Sequence, residues 1–176
     1  MLSHYKYTDK EKEELLKSLT IIVDTREKQN KHVIDWFEQN HIKYINRSLK
    51  NGDYSFYIPA NEHLNISRDL YFDKYIMIER KHNLEELSGN ITQSRARFEE
   101  ELATFSGKKY LMIENANYDD IIQKKYVTEL SPKAFLATLH TYNHRYGIEL
   151  MFLPNEIYSG VYIYGVLSYY LKSQLR

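Results

Sequence analysis

Tyr75-Ile76-Met77-Ile78-Glu79-Arg80-Lys81 is the stretch on which the fold turns. Its first four residues are apolar at every position, the pattern of a strand covered on both faces, and three ionic residues follow without a break. A strand covered on both sides belongs to a sheet that helices flank from above and below. Period-two alternation then puts Glu79 and Lys81 on one face of that strand and Arg80 on the other.

Upstream, residues 20–24 are a β-branched run, Val33, Ile34, Trp36 and Phe37 carry a helical pattern, and a second strand is predicted around 42–45. Residues 53–58 alternate, with Tyr54, Phe56 and Ile58 on one face, and predict a half-buried strand before a polar loop over 61–69. Downstream, 83–105 reads as helical with a break at Gly89-Asn90, and 109–113 as another buried strand. Ser131-Pro132 sets an N-cap and an N1 proline at the start of a helix reaching about residue 146. Residues 148–153 and 156–172 supply a last strand and a last helix. At the N-terminal end, Thr8-Asp9-Lys10-Glu11 is a capping box that opens a charged helix to about residue 19. Its apolar face of Leu15, Leu16 and Leu19 is narrow, which predicts a peripheral helix over 1–19. The alternation of strands and helices predicts an α/β sandwich around a mixed sheet, in a single domain over 20–176.

A chain of 176 residues fits one such domain. Lys+Arg and Asp+Glu stand at 24 each, so any grip on nucleic acid comes from local patches and not from a global field. The absence of cysteine excludes disulfides, thiolate-bound zinc and a thiol nucleophile, and makes the cytoplasm the default compartment. A metal, where one binds, is then held by oxygen or imidazole. Lys6, Asp9, Lys10, Glu11, Lys12 and Glu13 stand where a signal peptide needs an apolar core, so export is not expected. Residues 157–171 are too few to span a bilayer and are interrupted by Ser159, Gly160, Gly165 and Ser168, so no membrane span is expected. Seventeen tyrosines, with many Ile, Lys and Asn, suggest an AT-rich coding genome such as that of a low-GC bacterium or its phage.

The chemistry concentrates at the end of the central strand. Asp53, which follows Gly52 and precedes Glu79 by 26 residues, begins the preceding strand, where a hairpin-like pairing would set it beside Glu79. Two carboxylates and a lysine suit metal-assisted phosphodiester hydrolysis: hard oxygen ligands hold Mg²⁺ or Mn²⁺, and the lysine orients or deprotonates the attacking water. Taken alone the spacing is weak, since ionic residues at strand ends are usually just solvated.

Several other residues carry two readings. Arg95 falls in the stripe of Ile91, Phe98, Leu102 and Phe105; it either reaches an active-site carboxylate or DNA phosphate, or pairs with Glu99 one turn on. Arg97 and Glu101 share that spacing and read as a solvated pair. His140 and His144 have chelating spacing, but the buried stripe of Phe135, Leu139, Tyr142 and Tyr146 points them away from the core. They read as solvated, with phosphate contact by His144 and Arg145 as the alternative. Tyr54 is a candidate for stacking on a base. Asp119-Asp120 reads as a charge cluster at a helix start, and Glu114 as a supporting residue beside the catalytic strand.

Ile22-Val23-Asp24-Thr25-Arg26-Glu27, Gly52-Asp53-Tyr54, and Ile78-Glu79-Arg80-Lys81 with Glu85 four residues on together resemble the nuclease domain of the XPF family of structure-specific DNA endonucleases. Gln93-Ser94-Arg95-Ala96-Arg97-Phe98-Glu99 and Tyr110-Leu111-Met112-Ile113-Glu114 extend the resemblance, which is strong over about 20–115. It implies a restriction-endonuclease-like fold with a mixed sheet flanked by helices, Mg²⁺- or Mn²⁺-dependent cleavage of branched or structured DNA, and a homodimer. Carried over by position, Asp24, Asp53 and Glu79 become metal-site carboxylates and Lys81 the catalytic lysine. Arg26, Glu27, Arg80, Glu85 and Arg95 become supporting residues. Two departures stand out: Glu85 occupies a position where the family commonly has aspartate, and no tandem helix-hairpin-helix module is visible after the nuclease region. The resemblance is thus to a compact stand-alone form, as in phages or mobile elements. The rival readings are a non-catalytic DNA-binding or scaffold protein on the same fold, and a nuclease acting on RNA or on either sugar. A homodimer built through the helices after Pro132 is expected from the tyrosines of the last helix, Tyr158, Tyr162, Tyr164, Tyr169 and Tyr170.

Overall fold

The structure is a computed structural model that describes residues 6–175. In chain order the first elements are α1 (Asp9–Ser18), β1 (Thr20–Val23), α2 (Lys31–Gln39), β2 (Tyr44–Asn46), β3 (Tyr54–Ile58), β4 (Leu70–Tyr71) and β5 (Ile76–Lys81). They continue as α3 (Leu84–Thr92), α4 (Arg95–Thr104), β6 (Lys108–Glu114), α5 (Tyr118–Ile122), α6 (Pro132–Tyr146), β7 (Ile148–Leu153) and α7 (Ser159–Gln174). Packing divides the described residues into two compact units, one of residues 6–73 with 160–175 and the other of residues 74–159.

In the first unit, α1 starts at the predicted capping box: Thr8 accepts from the Glu11 amide, and Glu11 accepts from the Thr8 amide at 2.7 Å. The helix is anchored through Leu15, which is fully buried. Strand β1 lies between β2, in parallel (Ile22↔Ile45), and β3, antiparallel (Ile22↔Ser55), and β4 closes a hairpin onto β3 (Tyr57↔Tyr71). Tyr54, Phe56 and Ile58 are fully buried on the face the alternation predicts, but the expectation of a half-buried β3 is corrected at Ser55, on the other face, which is fully buried too. A serine is small enough to sit inside packing once its hydroxyl is bonded, so its polarity did not mark a solvent face. Helix α7 packs on this unit through aromatic contacts, with Tyr164 tilted against Trp36 at 6.4 Å and Tyr170 edge-on to Phe56 at 6.2 Å. Gly160 permits the close approach, because a Cβ there would stand 2.7 Å from the Cβ of Trp36.

The second unit is a parallel array, β5-β6-β7, with Glu79↔Leu111 and Leu111↔Leu150 in register. Parallel neighbours need long crossovers, supplied here by α3 and α4 and then by α5 and α6. All six residues of β5 are buried: the apolar run foretold this for Ile76, Met77 and Ile78, whereas the strand also carries Glu79, Arg80 and Lys81 inside, and Tyr75 lies ahead of it, exposed. The core gathers Met77, Leu111, Ile113, Phe135, Leu139 and Tyr142. Helix α6 keeps its predicted start, with Ser131 accepting from the Ala134 amide at 3.3 Å, and ends on Gly147 in the left-handed region at φ 63°. Among the described residues, no helix is long and apolar enough to cross a membrane.

The predicted break at Gly89-Asn90 falls elsewhere. Helix α3 runs through both residues, and the chain turns at Gln93-Ser94, whose two amides both donate to the Gly89 carbonyl, at 2.9 and 3.2 Å. One glycine inside a helix costs only about 1 kcal/mol, which the burial of Leu87 and Ile91 on either side outweighs. The observed class is α/β with mixed strand pairing and flanking helices, as the sequence led one to expect.

Candidate active site

Where β5 ends, the alternation predicted for its ionic residues is realised. Glu79 and Lys81 share one face, with Lys81 Nζ donating to Glu79 Oε1 at 2.7 Å, and both residues are over 90% buried. The ring centroid of Phe98 lies 5.2 Å from the ammonium, a cation–π contact that walls it on one side. The pair opens onto a polar pocket of about 200 Å³, lined in addition by Asn90, Ser94, Arg97, Phe98 and Glu101. Burial pushes the Glu79 carboxyl up from its ordinary value; Lys81 pulls it down, and the neighbouring Glu101 and Glu86 push it up again. A buried carboxylate so placed gains strongly from any added cation.

Arg80 faces the opposite way. Its Nη1 donates to Glu114 Oε2 at 2.6 Å, and the other Glu114 oxygen accepts from Ser159 Oγ at 2.5 Å. His82 Nδ1 stands 3.6 Å from Glu114 and 3.8 Å from Glu156. The supporting role expected of Glu114 thus takes the form of a buried anchor for Arg80.

Glu85 and Glu86 divide in a way the sequence reading did not anticipate. Glu85 accepts the Val127 amide at 3.1 Å and so pins the loop after α5. Glu86 accepts the His82 amide at 2.8 Å and brings its other oxygen to 3.9 Å from Lys81 Nζ. The signal for this was present: Asn83 caps α3 by accepting from the Glu86 amide, so Glu86 occupies the third helical position, from which a carboxylate reaches back to the chain before the cap. The carboxylate directed at the lysine is therefore Glu86, one residue beyond the position the resemblance marks.

In the first unit, Asp24 is buried and holds a turn. Its Oδ2 accepts from Arg26 Nε at 2.5 Å, its Oδ1 from the Leu49 amide at 3.0 Å, and its own amide donates to the Asp53 carbonyl at 2.8 Å. Arg26 Nη2 donates to the Leu49 carbonyl at 3.0 Å, and the Glu27 amide to the Asp24 carbonyl at the same distance. Gly52, at φ 71°, provides the left-handed step just before Asp53, which is half-buried. Both Asp24 oxygens are engaged in this arrangement, so the work seen for Asp24 is to fix the chain that carries Asp53.

Tyr54 and Arg95 correct expectations, while His144, Arg145 and Asp120 keep their solvated and helix-start readings. Tyr54 is fully buried in β3, paired with Val23, and has no ring face to offer a base. Arg95 does not line the pocket: it is half-exposed and donates to Glu99 at 2.8 Å. The stripe that included it assumed one helix from Ile91 to Phe105, whereas α4 begins afresh at Arg95 after the turn at Gln93-Ser94. The arginine that α4 presents to the pocket is Arg97, which forms no ion pair with Glu101 or any other described residue. His144 and Arg145 are exposed in the last turn of α6 and do not line the pocket, while His140 Nε2 is 3.0 Å from the Tyr118 hydroxyl. Asp120 reciprocally caps α5, accepting the Asn117 amide at 2.8 Å, as a helix-start cluster does.

The model of the family described as ERCC4 domain matches residues 23–166 of this chain. Among solved structures, the fold is similar to that of XPF from Aeropyrum pernix in complex with DNA, with a TM-score of 0.63 at 18% identity over 88% of this chain and 66% of that one. It is similar also to a second structure of XPF from Aeropyrum pernix, with a TM-score of 0.62 at 17% identity over 86% of this chain and 64% of that one. At such identity the likeness is one of fold, and this chain spans just under two thirds of the length of each. No curated protein matches the chain.

Proposed function

The chain belongs to the ERCC4 domain family, and on that premise we propose that it is a divalent-metal-dependent endodeoxyribonuclease acting on branched or structured DNA. The observation that carries the proposal is the buried Glu79–Lys81 pair at 2.7 Å, facing an open polar pocket at the end of a strand. An ammonium and a carboxylate withdrawn from water yet exposed to a pocket are costly for stability, and such arrangements are characteristic of sites that do chemistry. The match to XPF in complex with DNA supports the choice of substrate. Residues 20–176 are taken as one nuclease domain, since the family match runs without interruption through 23–166.

The donors fit a hard divalent cation. Glu79 is pushed toward protonation by burial, with Glu101 and Glu86 adding to the push, and oxygen is the ligand Mg²⁺ and Mn²⁺ prefer. Asp53 and Glu79 would hold the ion, with Asp24 holding Asp53 in place through the backbone. When bound, the ion would supply Lewis-acid polarisation of the phosphate and make the attacking water easier to deprotonate. Lys81, oriented by Glu79 and walled by Phe98, positions that water. A new P–O bond forms as the bond to the leaving sugar oxygen breaks, and that oxygen takes up a proton.

The presence of Asp53, Glu79 and Lys81 together favours catalysis over a scaffold role, since a scaffold has no need of the lysine. The compartment proposed is the cytoplasm of a bacterial or phage-infected cell, in line with a chain without cysteine. The assembly proposed is a homodimer through the helices after Pro132, supported by Val161 and Tyr169, which α7 leaves exposed. Tyr158 lies in the 3₁₀ turn Glu156–Tyr158 ahead of α7, and Tyr164 and Tyr170 are taken up in packing. Light scattering with and without DNA decides the assembly: a mass staying near 21.2 kDa refutes the dimer.

The function is tested by incubating the protein with labelled duplex, flap, fork and four-way-junction DNA, and with RNA, in Mg²⁺, Mn²⁺ and EDTA. Metal-dependent cutting of the branched DNAs is expected. It should disappear in Asp53→Ala, Glu79→Ala and Lys81→Ala while binding persists. Wild-type cutting in any of the three removes that residue from the mechanism, and preferential cutting of RNA overturns the choice of substrate.

A further inference from the structure

Building on the nuclease reading above, we propose that Arg97 seats a backbone phosphate of the DNA in the Glu79–Lys81 pocket. A pocket with Glu79 and Glu101 in its walls repels a polyanion unless some cation in it remains uncommitted. Lys81 is committed to Glu79 at 2.7 Å. Arg97 is not committed. It forms no ion pair among the described residues, although Glu101 stands one turn along the same helix, where an i,i+4 pair would ordinarily form. Arg95, two residues earlier on that helix, does pair with Glu99 in this way, at 2.8 Å. The planar guanidinium fork suits two phosphate oxygens at once, as an ammonium does not.

Two neighbours reinforce the assignment. Ser94, the residue before α4, lines the pocket and makes no capping bond with its hydroxyl, so the first-turn amides of α4 keep their preference for an anion. Asn90 Oδ1 is buried and without a hydrogen-bond partner, and Asn90 also lines the pocket. Turned over, its amide would offer the pocket an N–H. Arg97, Ser94 and Asn90 are thus polar groups in the pocket that the fold itself does not use. A volume of about 200 Å³ is that of about seven waters at about 30 Å³ each, enough for a phosphodiester group and an attacking water.

The test uses fluorescence anisotropy with labelled fork DNA in EDTA over a range of KCl, and single-turnover cleavage in Mg²⁺. Wild type, Arg97→Ala, Arg97→Lys and the charge-matched control Arg95→Ala are compared. In R97A the slope of log affinity against log salt should shrink by about one phosphate contact. Its cleavage rate should fall by about 100-fold, the scale on which one preorganised donor acts. R97K should restore the slope but recover the rate only in part, and R95A should match wild type in both. An R97A slope equal to that of wild type overturns the proposal, whatever happens to the rate, as does a wild type whose DNA binding is insensitive to salt. Wild-type protein that binds DNA and cuts none in any metal refutes the nuclease reading alone, because the slopes in EDTA still decide Arg97.

Discussion

Arg80 and Glu114 form an ion pair at 2.6 Å in which neither side chain exceeds 4% exposure. Arg80 lies in sequence between Glu79 and Lys81, yet this ion pair is on the opposite face of the strand. Removing one member of a buried pair strands the other charge, at a cost of about 3–5 kcal/mol. Glu114→Ala should lose that much in a denaturant titration, whereas Arg80→Met combined with Glu114→Leu should lose much less. A loss below about 1 kcal/mol in the single variant would show that Arg80 finds another partner or water.

Glu85 and Glu86 should separate cleanly by experiment. Glu86→Gln weakens the field around Lys81 and should lower the cleavage rate about tenfold or more, with little change in melting temperature. Glu85→Ala removes the acceptor for the Val127 amide and should cost about 1 kcal/mol in stability while leaving the rate near that of wild type. The reverse outcome would return the function to the position marked by the family pattern.

Glu79 gives the metal-free protein a definite pH dependence. Its folded pKa is raised by burial above the ordinary 4.5, so the stability linked to its protonated form is fully present below 4.5 and is lost as pH rises through the higher folded value. The stability difference between wild type and Glu79→Gln, measured in EDTA, should therefore move against wild type as pH climbs past 4.5. Added Mg²⁺ should restore wild type at neutral pH and leave the variant unchanged. A difference independent of pH would mean that Glu79 keeps its ordinary affinity for protons.

Glycine substitutions should split by sign. A Cβ on Gly107 would meet the Tyr75 carbonyl oxygen at 2.4 Å, so Gly107→Ala should destabilise by about 1–3 kcal/mol, and Gly160→Ala similarly against Trp36. Gly89 and Gly165 are helical with nothing within 4 Å, so alanine at either should stabilise by about 0.5–1 kcal/mol. Thermal melts of the four variants check this, and a stable G107A would mean that the chain can shift at the start of β6.

What the sequence made legible was periodic or capped. The apolar start of β5, the Thr8 and Ser131 caps and the alternation that separates Arg80 from Glu79 and Lys81 were all readable, since each depends on near neighbours. Arg97 was not, because the phase of α4 depends on where α3 ends, and that was decided by two amides sharing the Gly89 carbonyl. Glu86 was readable in principle from the Asn83 cap, whereas the family pattern marks Glu85. The burial of Ser55, on the polar face of that alternation, depends on what the rest of the chain lays over β3, for which no local pattern exists.

The three consecutive ionic residues of β5 also bear on how the strand finds its partner. A slip of one residue against β6 would exchange the two faces. In the slip that sets Glu79 in the place of Arg80, Arg80 would point into the pocket and Glu79 would be driven toward Glu114, one buried carboxylate against another. An all-apolar strand slips at modest cost, but this one meets strong repulsion in the neighbouring alignment. Glu79 thereby disfavours that one wrong register of its own strand, besides the role proposed for it in cutting DNA.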